Sequence, residues 1–173
     1  MLSSMRTETT PDPTDILQEA LEADGGGHVE LRYHSKRTRS VSVEKGRVDQ
    51  VLLAEHTGVG VRVLAGGVYG FASTASLEVG SIRQAVDNAR AAALASVGRG
   101  KGQQARAELP ATELARGRFE EPGFVELEAR PIEERLEWVI EMEASTRAAS
   151  KFIQSALCRY AEVFEEKGIV TSD

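Results

Sequence analysis

The sequence predicts an α+β fold: an antiparallel β-sheet of about five strands covered by an amphipathic helix, followed by a linker and an incomplete helix-plus-hairpin second domain. Apolar and polar residues alternate between residues 28 and 74, which is the period of strands with one buried face. Two short turns, "EKGR" and "AGG", interrupt the alternation, and strands joined in this way are antiparallel because parallel neighbours need a long crossover. An alanine-rich stretch with the helical period follows.

The first element is a short helix after a lead-in. Residues 1–13 lack the apolar core of a signal peptide and are expected to be disordered. Thr14 or Asp15 can cap the helix, because a side-chain oxygen there can accept an unpaired amide hydrogen. Its apolar stripe consists of Ile16, Leu17, Ala20 and Leu21. We expect the first domain to extend over residues 14–97.

The sheet and its covering helix account for the rest of this domain. Five strands are predicted. The first has Val29, Leu31 and Tyr33 on one face, the second has Val41 and Val43, the third extends from Val48 to Thr57, the fourth has Val59, Val61 and Val63, and the fifth extends from Val68 to Ser73. Gly66 or Gly67 is expected at positive φ, because a two- or three-residue hairpin turn requires it. The helix is predicted over residues 77–97, with the stripe Ile82, Ala85, Val86, Ala89 and Ala93.

The remaining sequence predicts a linker and part of another domain. Residues 98–123 have no clear period and indicate a linker or long loop. Residues 124–173 predict the start of a second domain, with a helix from Pro131 to about Ser150, a strand, a turn at Glu165–Gly168 and the first residues of a returning strand. Because a lone hairpin is marginal in water, we expect the chain to be truncated inside this domain.

Composition argues against several classes of function. The net charge of the 173 residues is −6, whereas a general nucleic-acid binder needs a basic face to displace counterions. Two local basic clusters are expected to be solvated: Lys36, Arg37 and Arg39, and Arg99, Lys101 and Arg106. No apolar run is long enough for a membrane-spanning helix. The single cysteine suits a reducing compartment, so we expect a cytoplasmic protein without nucleic-acid or membrane partners.

The stretch "GVGVRVLAGGVYGFAST" raises the question of nucleotide binding. A dinucleotide-binding loop needs G-x-G-x-x-G between a strand and a helix, where bare backbone holds the pyrophosphate. Here Gly58 and Gly60 are followed by Val61, Arg62 and Val63 without a third glycine, and the continuation is a strand. The glycines are therefore predicted to serve turns and close packing.

The residues themselves assign no catalytic, cofactor-binding or metal site. His28, His34 and His56 lack metal-ligand spacing on a helix and are expected on a surface or edge strand. No serine lies in G-x-S-x-G, and Cys158 is expected to be buried apolar filler. The acidic stretch "IEERLEWVIEMEAS" is expected to be a solvated helix face. These observations favour a scaffold or binding role on a soluble α+β fold.

The segment from "HVELRYHSKRT" to "RQAVDNARAAA" resembles the N-terminal domain of the TldD/PmbA family of zinc metallopeptidases. The most specific part is "GVGVRVLAGGVYGFAST" with the alanine-rich helix behind it, and "SVSVEKGRVDQV" is similar to the family's strand–glycine turn–strand. The resemblance covers residues 15–97 and, less closely, residues 124–173, where Ser172 and Asp173 would begin a Ser-acid-Gly turn. The glycine pattern is more similar to the TldD side than to the PmbA side.

This resemblance implies a zinc-dependent peptidase acting on unfolded peptides or small proteins, in a homo- or heterodimer of TldD/PmbA-type subunits. The family's H-E-x-x-x-H motif, whose histidines hold zinc, has no counterpart in this sequence. No catalytic, cofactor-binding or metal residue is therefore carried over, and the chain alone is expected to be inactive. The sequence then suggests a non-catalytic N-terminal part that contributes dimer and cavity walls. Two alternatives remain: a non-enzymatic module that binds peptides or a partner by β-augmentation, and a degraded gene fragment.

Overall fold

The computed structural model describes residues 11–22, 26–98 and 116–172. Within these ranges the elements are α1 (Pro13–Glu22), β1 (His28–Glu44), β2 (Arg47–Ala65), β3 (Val68–Thr74), α2 (Val79–Ser96), α3 (Phe124–Ala129), α4 (Ile132–Ala148) and β4 (Leu157–Thr171). The predicted α+β class with an antiparallel sheet is confirmed. Most of the predicted lead-in and linker, and the basic cluster Arg99, Lys101 and Arg106, lie outside the described residues.

The sheet has four strands in the order β3-β2-β1-β4. The first two predicted strands form the continuous β1, and the next two form the continuous β2. The prediction divided β1 at "HSKRTRS", where polar residues replace the apolar alternation. These residues stay extended because a polar side chain within a strand needs only a polar partner, and Arg39 has such a partner in Glu162.

The predicted turn at Glu165–Gly168 is wrong, because β4 runs without interruption from Leu157 to Thr171. Gly168 lies inside this strand, where a Cβ atom would approach Thr14 Cγ2 to 2.9 Å. Glycine at this position lets α1 come close to the strand. At the end of β4, the Ser172 backbone N–H donates to the Val29 carbonyl at 3.0 Å, and Ser172 Oγ accepts from the Val29 N–H at 2.9 Å.

The chain divides into two compact units, one formed from residues 1–34, 57–111 and 167–173 and the other from residues 35–56 and 112–166. The first unit contains the larger apolar core, in which α1 and α2 pack on one face of the strands. Its buried strand residues are Val29, Leu31, Tyr33, Val59, Val61 and Val63. All five predicted stripe residues of α2 are buried as well, which confirms that helix.

The cap of α1 differs from the prediction. Asp12, rather than Thr14 or Asp15, accepts the Thr14 backbone N–H at 2.8 Å. Pro13 takes the first helical position, where its fixed φ suits a helix and its missing N–H would have no partner. The helix therefore begins before the two predicted capping residues.

The glycine-rich hairpin is part of the architecture of the first unit. Gly66 and Gly67 have φ values of 60° and 77°, which confirms the predicted turn conformation. Gly70 on β3 lies so close to α2 that a Cβ atom would stand 1.9 Å from the Ala89 carbonyl oxygen and 2.7 Å from the Ala93 nitrogen. The backbones of a strand and a helix are thus in direct contact, which only glycine permits.

We predict that Gly70→Ala lowers the free energy of unfolding by about 1–3 kcal/mol or more, because the new methyl group must displace α2 backbone. The matched control is Gly80→Ala in the first turn of α2, where a Cβ atom meets nothing within 4 Å. This control should be neutral or stabilising by up to about 1 kcal/mol, since alanine favours a helix. Urea unfolding followed by circular dichroism measures both variants. Equal midpoints for the two variants would show that the close approach is misplaced.

Candidate functional site

The second unit has a small apolar core and a buried cluster of charges. Its core cluster consists of buried Val41, Val43 and Val139, with half-buried Ile132, Leu136, Cys158 and Tyr160 packed against them. The predicted role of Cys158 as apolar filler matches this position, although its side chain is only half-buried. Because this core is small, polar contacts supply many of the connections between the elements of this unit.

Glu162 of β4 is the centre of the charged cluster. Its side chain is 2% exposed, as is that of Arg135 on α4. Arg135 Nε donates to Glu162 Oε1 at 3.0 Å, and the Tyr160 hydroxyl donates to the same oxygen at 2.9 Å. Arg39 Nε donates to the other oxygen, Oε2, at 2.9 Å. The buried carboxylate thus has a hydrogen-bond donor on each oxygen, as a buried charge requires.

Arg39 also holds the end of α3. Its terminal nitrogens donate to the carbonyls of Leu127 at 3.1 Å, and of Glu128 and Arg130 at 3.2 Å. These carbonyls lie at the C-terminal end of the helix, where few backbone donors remain, although the Leu127 carbonyl also accepts the Arg130 backbone N–H at 3.3 Å. The guanidinium carbon lies 4.8 Å from the centroid of the Phe164 ring, in cation–π range. One arginine from β1 therefore connects a helix end, a buried carboxylate and an aromatic ring.

An open cavity of about 340 Å³ lies beside this cluster. It is lined by Arg37, Thr38, Arg39, Leu53, Ala54, Glu55, Glu128 and Phe164. Arg37 forms an ion pair with Glu128, so both arginines of the lining already have carboxylate partners. The lining thus combines ion pairs, an aromatic ring and a threonine hydroxyl.

The cluster shifts the acidity of its members. Burial by itself would raise the pKa of Glu162, but hydrogen bonds from Arg135, Tyr160 and Arg39 outweigh it and lower that pKa below its usual value. Burial, together with the hydrogen bond to Glu162, raises the pKa of the Tyr160 hydroxyl. The hydrogen bond to Glu162 raises the pKa of Arg135. At neutral pH the structure therefore holds an ionised glutamate and a neutral tyrosine.

The sequence prediction missed two charged residues of α4 that are buried. Arg135 pairs with Glu162, and Glu143 is fully buried while accepting a hydrogen bond from Arg147 Nε at 3.1 Å. The acidic stretch of α4 is therefore only partly a solvated face, because Arg135 and Glu143 are buried. The spacing of Arg135, Val139 and Glu143 by four residues was the available signal, because it places both charges on the apolar stripe.

The three histidines lie on strands β1 and β2. His28 in β1 is half-buried, whereas His34 and His56 are exposed on strands. Among residues 11–22, 26–98 and 116–172, no three His, Cys, Asp or Glu side chains are grouped so that they could hold a metal ion. The described residues therefore do not fit a catalytic zinc site, and no catalytic step is assigned to them. Within the same ranges, no helix has the length and apolar character needed to cross a membrane.

The described elements form an α+β fold with an antiparallel sheet. A scan against protein-family models matches residues 29–93 to domain 1 of the PmbA/TldA metallopeptidases. The resemblance to the TldD/PmbA family is thereby confirmed over residues 29–93. A search of the curated proteins found no matching sequence.

Solved structures share the fold over nearly the whole chain. TldE from Thermococcus kodakarensis superposes with a TM-score of 0.69 at 15% identity, covering 93% of this chain and 35% of TldE. A candidate modulator of DNA gyrase from Thermotoga maritima gives 0.65 at 18% identity, covering 92% and 35%. A second such candidate, from Bacteroides thetaiotaomicron, gives 0.64 at 16% identity, covering 92% and 36%. The chain thus spans about a third of the length of these proteins, and the likeness concerns the fold.

The lowered pKa of Glu162 predicts a loss of stability in acid. As the pH falls, Glu162 takes up a proton in the unfolded chain before it does so in the folded chain. The stabilisation of the fold by ionised Glu162 is therefore complete above about pH 4.3 and disappears as the pH falls through the lower pKa of the folded chain. Glu162→Gln should cost about 1–3 kcal/mol at pH 7, because it weakens hydrogen bonds to charged donors, and should cost less at pH 3. Chemical denaturation between pH 7 and pH 3 measures this difference.

The matched control is Glu133→Gln on the exposed side of α4, which should change stability little at either pH. A constant gap between Glu162→Gln and the unmodified chain over the whole pH range would contradict the assigned ionisation.

Proposed function

We propose that this chain forms the N-terminal, non-catalytic part of a TldD-like zinc metallopeptidase that acts on unfolded peptides or small proteins. The observation that carries the proposal is the match of residues 29–93 to the first domain of the family. These residues include the buried strand positions of β1 and β2 and most of α2. The match therefore falls on a folded core, and not on a short surface motif.

In this proposal the chain contributes walls to a dimer and to a substrate cavity. The partner is a second copy or another TldD/PmbA-type subunit, in the cytoplasm. The first domain occupies residues 14–97, residues 98–123 are a linker, and residues 124–173 begin the next domain. Zinc and the catalytic base belong to other parts of the enzyme, since the described residues do not group three metal-ligating side chains.

The first test concerns zinc binding and peptide cleavage. We expect that the purified chain retains no stoichiometric zinc after dialysis and does not cleave an unfolded peptide, because a catalytic zinc needs about three convergent protein ligands. A full-length family member that carries H-E-x-x-x-H serves as the positive control under the same conditions. Tight one-to-one zinc binding with metal-dependent cleavage by this chain would disprove the non-catalytic role.

The second test concerns the dimer wall. The chain is mixed with a full-length TldD/PmbA-type protein from the same organism, and sedimentation velocity measures whether a joint species forms. We expect a mixed complex whose mass is the sum of one copy of each chain. If the two proteins sediment separately at concentrations where the full-length protein is itself dimeric, the proposed contribution to the dimer is wrong.

A further inference from the structure

The first half of β2 forms an open sheet edge. β2 extends over Arg47–Ala65, but β3 pairs with it only from Val59 to Ala65. In the sheet order, β1 is the neighbour on the other side. Among the residues that the structure describes, no strand therefore pairs with this side of residues 47–56. Alternate backbone N–H and C=O groups along this edge point away from the sheet.

The side chains of this edge are unusually apolar and exposed. Val48, Val51, Leu52 and Leu53 are between 41% and 66% exposed. Because consecutive residues of a strand point to opposite faces, apolar groups lie on both faces here. Residues 47–56 contain neither proline nor lysine, which commonly protect edge strands from pairing.

The opposite edge of the sheet differs from this one. Its strand, β4, carries exposed charged residues along much of its length: Arg159, Glu165, Glu166 and Lys167. Charges of this kind discourage a further strand from pairing. Compared with β4, the first half of β2 is therefore better suited to accept another strand.

We propose that this edge pairs with the same edge of a second copy of the chain, antiparallel and two-fold symmetric about Val51. The charge pattern of the strand is self-complementary in this register, because Arg47 and Glu55 stand four residues on either side of Val51. Each Arg47 then lies opposite Glu55 of the other copy, and the pairing contains two such cross-strand ion pairs. Opposite charges directly across an antiparallel pair are stabilising.

Neighbouring registers are less favourable. When two strands pair about a two-fold axis perpendicular to the sheet, residues that lie opposite each other point to the same face. The possible registers therefore differ by moving the central residue one position along the strand. Centring on Leu52 places Asp49 opposite Glu55, and like charges in that position repel. Centring on Gln50 places Arg47 opposite Leu53 and forms no ion pair within β2, because Glu55 then lies opposite Lys45 of the turn. Asp49 causes no conflict in the proposed register, where it faces Leu53 and accepts a hydrogen bond from Ser42 at 3.1 Å.

This inference names a contact surface for self-association, whereas the proposed function names a role within an enzyme. Zinc content, peptide cleavage and mixing with a full-length family member test the proposed function, and charge reversal at Arg47 and Glu55 tests this inference. Self-association that charge reversal leaves unchanged would overturn the inference and leave a dimer built on another surface.

The experiment uses charge reversal in the full 173-residue chain. Sedimentation equilibrium gives the dimer dissociation constant of the unmodified chain, of Arg47→Glu, of Glu55→Arg, and of an equimolar mixture of the two variants. Each single variant places like charges opposite each other twice and should weaken self-association by roughly tenfold or more. The mixture should form heterodimers with an affinity close to that of the unmodified chain, because all pairs are then complementary again.

The control is Arg159→Glu, a charge reversal on the exposed side of the other edge strand, which should leave the dissociation constant unchanged. Circular dichroism verifies that every variant is folded. A chain that stays monomeric up to about 100 µM, single variants that associate like the unmodified chain, or a mixture no tighter than its components would each overturn the proposal. Association that appears only after addition of an extended peptide would also overturn it, in favour of a peptide on this edge.

Discussion

The contact between the backbones of β3 and α2 at Gly70 is the constraint on which the first unit depends. A Cβ atom there would lie 1.9 Å from the Ala89 carbonyl oxygen, so any other residue must move the helix away from the sheet. The buried stripe of α2 also requires small residues at this contact, and Ala85, Ala89 and Ala93 are small and buried. Larger residues on either side would separate α2 from the valines of β2 and open gaps in a core that is otherwise closely packed.

The second unit is held together differently. Among its described residues, the core cluster contains three buried valines, and contacts among charged groups connect its elements. Glu162 on β4 receives hydrogen bonds from Arg39 on β1 and from Arg135 on α4, and Arg39 continues to the end of α3. Buried charges are costly to desolvate, and their benefit depends on complete pairing. The arrangement therefore specifies which elements meet, more than it adds to stability.

The sequence predicted those parts of the fold that depend on local patterns. The stripe of α2, the positive φ of Gly66 and Gly67, and the antiparallel sheet all follow from short-range periodicity or turn chemistry. The errors arose where tertiary contacts decide the outcome. Gly168 resembles a turn glycine in sequence, but its role is to admit Thr14 of α1 next to β4. Arg135 and Glu143 resemble surface charges, but partners from β4 and from the same helix allow their burial.

The glycine-rich stretch also explains why this unit offers no phosphate cradle. A phosphate loop works because consecutive backbone N–H groups are unpaired and point towards the ligand at a helix start. Here Val59 to Ala65 pair in register with Thr74 to Val68, so the glycines among them are part of a ladder. Gly70, the member of the stretch that approaches a helix, contacts the middle of α2 at Ala89, well beyond its N-terminus. The glycines therefore allow close contact between two backbones. Among the residues that the structure describes, the first half of β2 and a cavity whose arginines are already paired are open to other molecules.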